Sequence, residues 1–259
     1  MGVLKFILGT HVVNHIGKTD APLFLSIRQL KKRKHKPFKQ TGRVFVDSGG
    51  FSELSMFGKW ETTPQEYAAE LLRLKNHLGL EIEWASCQDW MVEPVMLKKT
   101  GLTIKEHQRR TVENYLLMLE LMRGTGIDII PVLQGQTVAD YLDHIRLYSQ
   151  LGIELKKLKT VGVGSVCRRE NSQEVGDIIK ALFNEGLSIH AFGVKKRGLV
   201  RYGDLLQSAD SLAWSFGARY SQSHCETHQQ SPTTKNCANC LDYALEWRDK
   251  LLRAYGSIT

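Results

Sequence analysis

Ile129-Ile130-Pro131-Val132-Leu133-Gln134-Gly135-Gln136-Thr137-Val138-Ala139-Asp140 holds an apolar run, a short polar turn and a capped helix start in direct succession. The run Ile129–Leu133 is apolar throughout, as a strand buried on both faces requires. Thr137, with Asp140 three residues on, supplies the acceptors that the free N–H groups of a first helical turn need. Gly152 falls where that helix should stop, and a second apolar run, Thr160–Gly164, follows it. Strand, loop, helix and strand again is the repeating unit of a parallel α/β sheet.

The same rhythm extends both ways along the chain. Candidate strands are Phe6–Thr10, Leu23–Ile27, Val44–Ser48, Ile82–Ser86, Ile129–Leu133, Thr160–Gly164, Ile189–Val194 and Leu212–Ser215. Thr63-Pro64-Gln65-Glu66 gives a helix cap, a proline at the first helical position and a glutamate that completes a capping box. Thr103-Ile104-Lys105-Glu106 repeats the box, Gly186 marks another helix end, and only a short segment can make the helix between the second and third strands. An open doubly wound sheet that binds a dinucleotide is disfavoured, because Gly162-Val163-Gly164 lacks the third glycine of that fingerprint. Eight candidate strands in 259 residues predict a (β/α)8 TIM-like barrel, a fold of about 250 residues. The predicted division is residues 1–220 as the barrel and 221–259 as a metal-binding segment and C-terminal helix packed upon it.

In a parallel barrel the C-terminal ends of the strands share one mouth. The polar residues expected there are Asp47 and Ser48, Gln88 and Asp89, Gln134 and Gly135, Gly164 and Ser165, Lys195, and Asp210 just before the last strand. Asp47-Ser48-Gly49-Gly50-Phe51 is on its own no more than a turn signature. Paired with a second acid from elsewhere in the chain, it has the makings of a glycosidic exchange, one carboxylate attacking the sugar carbon and the other moving the proton. Glycines beside the acid let a flat ring approach the backbone. Amides and acids on one rim are the donor and acceptor set that reads a purine-like edge, although each alone could simply close a loop.

No stretch approaches the ~20 apolar residues of a membrane span. The opening Met1-Gly2-Val3-Leu4-Lys5-Phe6-Ile7-Leu8 reads as a first strand and not as a secretory leader. Five cysteines without a disulfide pattern predict a reducing, cytoplasmic setting, and Cys87 and Cys167 read as packing residues. Cys225-x2-His228 followed by Cys237-x2-Cys240 has the knuckle spacing of a tetrahedral zinc site, with His224 as an alternative to His228. Four protein ligands make such a zinc structural, a staple for the polar segment between the pairs. The formal net charge of +8 suits an anionic partner. Lys31, Lys32, Arg33 and Lys34 form the densest positive run, read either as a solvated loop or as a phosphate contact, and Arg168 and Arg169 are further candidates.

Several segments resemble the tRNA-guanine transglycosylase superfamily, and within it the DNA-acting branch, the DpdA-type DNA 7-deazaguanine transglycosylases. They are Gly9-Thr10-His11, Asp47-Ser48-Gly49-Gly50-Phe51, Gln88-Asp89-Trp90-Met91, Glu106 through Tyr115, and Val132-Leu133-Gln134-Gly135. Val161 through Arg169, Phe192-Gly193-Val194-Lys195, Ser208 through Ser215 and Cys237-Ala238-Asn239-Cys240 extend the likeness over nearly the whole chain. The resemblance implies that Asp210 attacks C1′ and that Asp47 is the general acid and base. It also implies that Asp89 and Gln134 read the base, with the backbone from Gly162 to Ser165 closing the pocket. The tRNA-acting members carry Cys-x-Cys-x2-Cys and a distant histidine, unlike the order here, and the chain is compact. Both features favour DNA.

The expectation is therefore an enzyme that exchanges guanine in DNA for a 7-deazaguanine base such as preQ0, in a bacterial or phage-infected cell. A helicase or ATPase partner and a homodimer belong to the same expectation. Action on tRNA is the nearest alternative, and a non-catalytic zinc protein that binds nucleic acid is the alternative from another class. An ordinary glycoside hydrolase barrel shares the two acids but leaves the base-edge residues and the positive charge unexplained.

Overall fold

A computed structural model describes residues 4–166, 173–221, 225, 228 and 236–256. Its strands are β1 (Lys5–Gly9), β2 (Leu23–Ser26), β3 (Val44–Asp47), β4 (Ile82–Ser86), β5 (Asp128–Ile130), β6 (Val132–Leu133), β7 (Val161–Val163), β8 (Ile189–Ala191) and β9 (Ser208–Ser211). Helices α1 (Ile27–Leu30), α2 (Gly50–Phe57), α3 (Pro64–Asn76), α4 (Pro94–Thr100), α5 (Ile104–Leu121), α6 (Val138–Gln150), α7 (Gln173–Asn184), α8 (Lys196–Tyr202), α9 (Ala213–Ser221) and α10 (Leu241–Gly256) lie between and after them.

All strand pairs are parallel, in the order β5-β4-β3-β2-β1-β9-β8-β7-β6. The two ends of that order are consecutive in sequence. Pro131 has no N–H to continue a ladder, so it splits one strand into β5, paired with β4, and β6, paired with β7. The Pro131 carbonyl still accepts the Gly162 N–H at 2.9 Å. The seam is thus carried by a single interrupted strand, and the result is an α/β TIM-like barrel.

Alternation along each strand divides the core in two. Phe6, Leu8, Leu23, Leu25, Val44, Val46 and Ala209 face the helices in the large outer core. Ile7, Phe24, Phe45, Trp84 and Ile130 form a separate cluster inside the ring, with Phe192 against it. The helix starts follow the capping chemistry at Thr63 and Thr137, where both reciprocal bonds of the box form. At Thr103 only half of the box forms: its hydroxyl takes the Glu106 N–H, while the Glu106 carboxylate turns to Arg109 and Arg110. The short helix expected between the second and third strands is α1.

One expected strand is wrong. The last strand is Ser208–Ser211 and not Leu212–Ser215, and Ala213 opens α9. Small residues fit the crowded β1–β9 contact, whereas Trp214 needs room and tucks beside β1, donating its indole N–H to the Gly9 carbonyl at 2.7 Å. Asp210 therefore sits within the strand. The strand expected at Ile189–Val194 also ends early, at Ala191. Helix α10 shares the outer core through Ala244 and Leu251, and Arg248 donates to the Phe6 carbonyl at 3.2 Å.

Candidate active site

Asp47 and Asp210 reach the barrel interior by the same device. Phe45 and Phe24 point inward, so Asp47, two residues beyond Phe45, does too. Ala209 points outward to the helices, so Ser208 and Asp210 point inward. In register, Asp47 lies beside Ser26 and Asp210 beside Ile7. Asp47 Oδ2 accepts the Gly49 N–H at 3.0 Å, and the Ser26 hydroxyl bonds to the same carboxyl. Burial pushes the Asp47 carboxyl up to about 6, the charge of Asp210 adding to the shift while the bonds from Ser26 and Gly49 oppose it. The two acids are close enough to feel one another. Asp210 Oδ1 accepts the Gly193 N–H at 3.1 Å, and the buried His190 Nε2 stands 3.4 Å from it.

A second polar chain runs across the rim from β4 to β7. The Gln134 side-chain amide donates to Asp89 Oδ2, and its Oε1 lies 2.6 Å from Ser165 Oγ. Ser165 Oγ in turn accepts the Val92 N–H at 3.1 Å and lies 3.0 Å from Glu93 Oε2. Gly164 is required here, since a Cβ would collide with the Gln134 amide. Burial raises the Asp89 carboxyl to about 7, with the charge of Asp47 as the next cause. Asp47 and Asp89 are half-buried as residues, and it is the burial of their carboxyls that displaces both upward. Gln88 is committed to the frame: its Nε2 donates to the Thr62 carbonyl and its own carbonyl accepts from Asn114.

The remaining expected residues are scattered more widely. Ser48 is buried, with its N–H on Ser86 Oγ at 3.0 Å and, among the described residues, no partner for its own hydroxyl oxygen. Gly49 and Gly50 start α2, and Gly50 packs against Asp89 and Trp60. Phe51 is 44% exposed on that helix. Gly135 packs on Tyr141 and Gly162 on Phe192, while Lys195 is an exposed residue capping α8. Lys31, Lys32 and Lys34 follow α1 in a loop, Lys31 half-buried and the other two exposed. Arg33 is held in place by the carbonyls of Lys36 and Pro37 and stacks over Phe38, 4.4 Å from the ring centre. Arg168 and Arg169, like Cys167 and His224, lie outside the described residues.

Sequence reasoning missed Ser26, Glu93 and His190. Ser26 and Glu93 carried no local signal, being ordinary residues before a short helix and before a proline. His190 did carry one, a titratable residue inside the apolar run Ser188-Ile189-His190-Ala191-Phe192.

Residues 3–259 match the model of a protein family described as DpdA, DeoxyPurine in DNA protein A. The chain belongs to the DpdA family. DpdA proteins are DNA transglycosylases similar to the tRNA-guanine enzymes, so family membership places this chain among transglycosylase-type enzymes. No curated protein matches the chain. Solved structures similar to it include a D-tagatose 3-epimerase-like protein, 10% identical, with 98% of each chain covered and a TM-score of 0.47. The YdjI aldolase from Escherichia coli K12 is 10% identical over 99% of this chain and 93% of that one, with a TM-score of 0.44. A structure titled native KDPGal is 9% identical over 100% of this chain and 97% of that one, with a TM-score of 0.43.

Away from the acids, this DpdA-family chain gathers Cys225, His228, Cys237 and Cys240 into one group whose donor atoms all lie within 4.8 Å of one another. Cys225 Sγ is 3.7 Å from both Cys237 Sγ and Cys240 Sγ, and His228 Nδ1 lies 3.1 Å from Cys225 Sγ. The group can hold a metal ion. Burial and the neighbouring sulfurs push the Cys240 thiol up to about 11, a repulsion that a bound cation would relieve. The cluster is docked on the barrel through Asn239, whose side chain bonds His11 at 2.6 Å and whose carbonyl meets His15 at 3.2 Å. Ser215 adds a bond to the Ala238 carbonyl at 2.7 Å.

Proposed function

We propose that the chain exchanges guanine in DNA for a 7-deazaguanine base such as preQ0, through a covalent bond between Asp210 and C1′ of the target nucleotide. The observation that carries this reading is the delivery of Asp47 and Asp210 to the inside of one barrel mouth, with the Asp89–Gln134–Ser165 chain on its rim. A carboxylate of Asp210 attacks C1′, and the C1′–N bond breaks with its electron pair going to the base. Asp47 supplies the proton that the departing guanine needs. The incoming base then returns a proton to Asp47, attacks C1′ and displaces Asp210. Two inversions retain configuration, and one glycosidic bond replaces another, so no nucleotide cofactor is consumed.

The proton chemistry suits Asp47, whose carboxyl at about 6 can hold and release a proton near neutral pH. Asp89, raised to about 7, can accept from a base N–H when ionised and donate to a base acceptor when protonated. Its geometry is fixed by the Gln134 amide, which Ser165 holds from the other side. A base inside a duplex must first be flipped out, at a cost of a few kcal/mol. The net charge of +8, with Lys31, Lys32 and Lys34 in an open loop, supplies attraction for the backbone around it.

For the Cys/His group we propose a structural zinc. Two thiolates at about 2.3 Å from a tetrahedral zinc stand about 3.8 Å apart, close to the 3.7 Å separations found here. With all four positions filled by protein, the ion would hold the C-terminal segment and take no step in the exchange.

Incubation with labelled 7-deazaguanine, duplex DNA and bulk tRNA tests the function. Label is expected in the DNA. Label in tRNA alone would move the assignment to tRNA, and label in neither, with nucleic acid bound, would reduce the chain to a binding protein.

A further inference from the structure

His190 is completely buried at the centre of β8, inside the barrel and below the mouth. Its ring is enclosed by Trp84, Phe192 and Phe24, with ring centres 4.9, 4.8 and 5.8 Å away. Nδ1 lies 2.9 Å from the Ser208 hydroxyl, on the strand that carries Asp210. Among the described residues Nε2 has no hydrogen-bond partner, and it faces Asp210 Oδ1 at 3.4 Å. A buried imidazole nitrogen whose one polar neighbour among the described residues is the Asp210 carboxylate is not explained by packing.

Between the two neutral tautomers, the surroundings favour the one with its proton on Nε2. Were Nδ1 alone protonated, the Nε2 lone pair would confront a buried carboxylate oxygen, a repulsive arrangement. With the proton on Nε2, the Ser208 hydroxyl donates to Nδ1 and Nε2–H faces Asp210 Oδ1 at 3.4 Å, an approach of donor to acceptor in place of a repulsive one. Hydrogen bonds at a reacting group are often long before substrate arrives and tighten afterwards. A second donor converges on the same oxygen: the Gly193 N–H reaches Oδ1 at 3.1 Å. Gly193 has a φ of +69°, the left-handed region in which a side chain would be strained. From the β8 end, one N–H thus bonds Oδ1 of Asp210 and the His190 Nε2 faces the same oxygen at 3.4 Å.

We propose that His190, as its Nε2–H tautomer set by Ser208, is the positioning residue of the nucleophile: with Gly193 it holds Oδ1 of Asp210 and leaves Oδ2 free to attack C1′. The idea deepens the exchange reading and rests on it for its kinetic consequence, but its structural half stands separately.

The test has two arms. In the first, nitrogen-15 NMR of histidine-labelled wild-type protein, without DNA, should find a buried imidazole with Nε2 protonated and Nδ1 bare. Its Nε2–H signal should move in Asp210→Ala. The opposite tautomer, or a signal indifferent to Asp210→Ala, would overturn the proposal whatever the enzyme does. In the second, single-turnover adduct formation at saturating DNA should slow about 10- to 100-fold in His190→Leu, with DNA affinity unchanged within about twofold. His190→Gln, which keeps a donor at a similar reach, should recover most of that loss. Wild-type speed in His190→Leu, or equal losses in the two variants, would mean that the ring only fills space. A wild-type protein that forms no adduct at all would instead remove the exchange reading, while the NMR arm still decides the contact.

Discussion

The barrel mouth and the Cys/His segment hold their polar groups by opposite means. At the mouth, Asp47, Asp89, Gln134, Ser165 and Asp210 stand on or just beyond strands whose register is set by the surrounding ladder and by two hydrophobic layers. The scaffold is therefore expected to keep its shape when Asp47 or Asp210 is replaced by its amide. In the C-terminal segment four donor atoms converge with little apolar residue between them, and the segment is tied to the barrel through Asn239 and Ala238. On the proposed reading, the difference teaches that a carboxylate at the mouth serves the chemistry and a thiolate in the cluster the structure. Substitutions in the two regions should therefore fail in different ways.

The largest effect is expected at Asp210. Asp210→Asn should lower base exchange by at least about 1,000-fold with a melting temperature close to wild type. A variant that exchanges normally, or one that fails by unfolding, would break the contrast at its strongest point. Asp47→Asn should reduce exchange by about 100-fold or more while duplex binding is kept, because general acid–base catalysis is lost and the frame is not. Binding and label incorporation measured side by side would reveal the opposite pattern.

In the other region, Cys237→Ser should remove the metal that elemental analysis is expected to find at about one per chain in wild type. It should also lower the melting temperature by several degrees, with residual exchange reflecting only the fraction still folded. Loss of metal with unaltered stability would show that the cluster is not a staple.

A subtler separation comes from pH. Asp47 and Asp89, at about 6 and about 7, hold protons in the folded state more tightly than in the unfolded chain, where both lie near 3.8. Stability from this source is complete below about pH 4 and is lost as pH rises through 6 and then 7. Asp89→Asn removes the buried charge, so its gain in melting temperature over wild type should be larger at pH 8 than at pH 5. An equal gain at both would mean that Asp89 is not held near neutrality. The smallest effect is expected for Lys32→Gln with Lys34→Gln, which should weaken DNA binding a few-fold and lower the salt slope by about two, one unit for each phosphate contact. An unchanged slope would mark the loop as merely solvated.

Much of this architecture was legible in the chain itself. Apolar runs and caps at Thr63 and Thr137 are local codes, and they led to the barrel directly. The Cys/His cluster was legible for the same reason, since its members are paired within a few residues. The last strand was misread because Ser208-Ala209-Asp210-Ser211 is chosen for tight packing between β1 and β8, a tertiary demand that hydropathy does not register. The proline at 131 is another example: its effect on the ladder was invisible until β5 and β6 were found on different neighbours. Ser26, Glu93 and His190 gain their significance only from partners 21, 72 and 20 positions away, respectively Asp47, Ser165 and Asp210, and no window along the sequence joins them.

The most direct measurement is the location of the covalent bond. Wild-type protein incubated with duplex DNA, quenched by denaturation and digested, should yield a nucleotide-linked peptide whose mass spectrum places the modification on residue 210. No such species should form in Asp210→Asn. A modification mapped to Asp47 or Asp89, or efficient exchange with no linked peptide, would contradict the account.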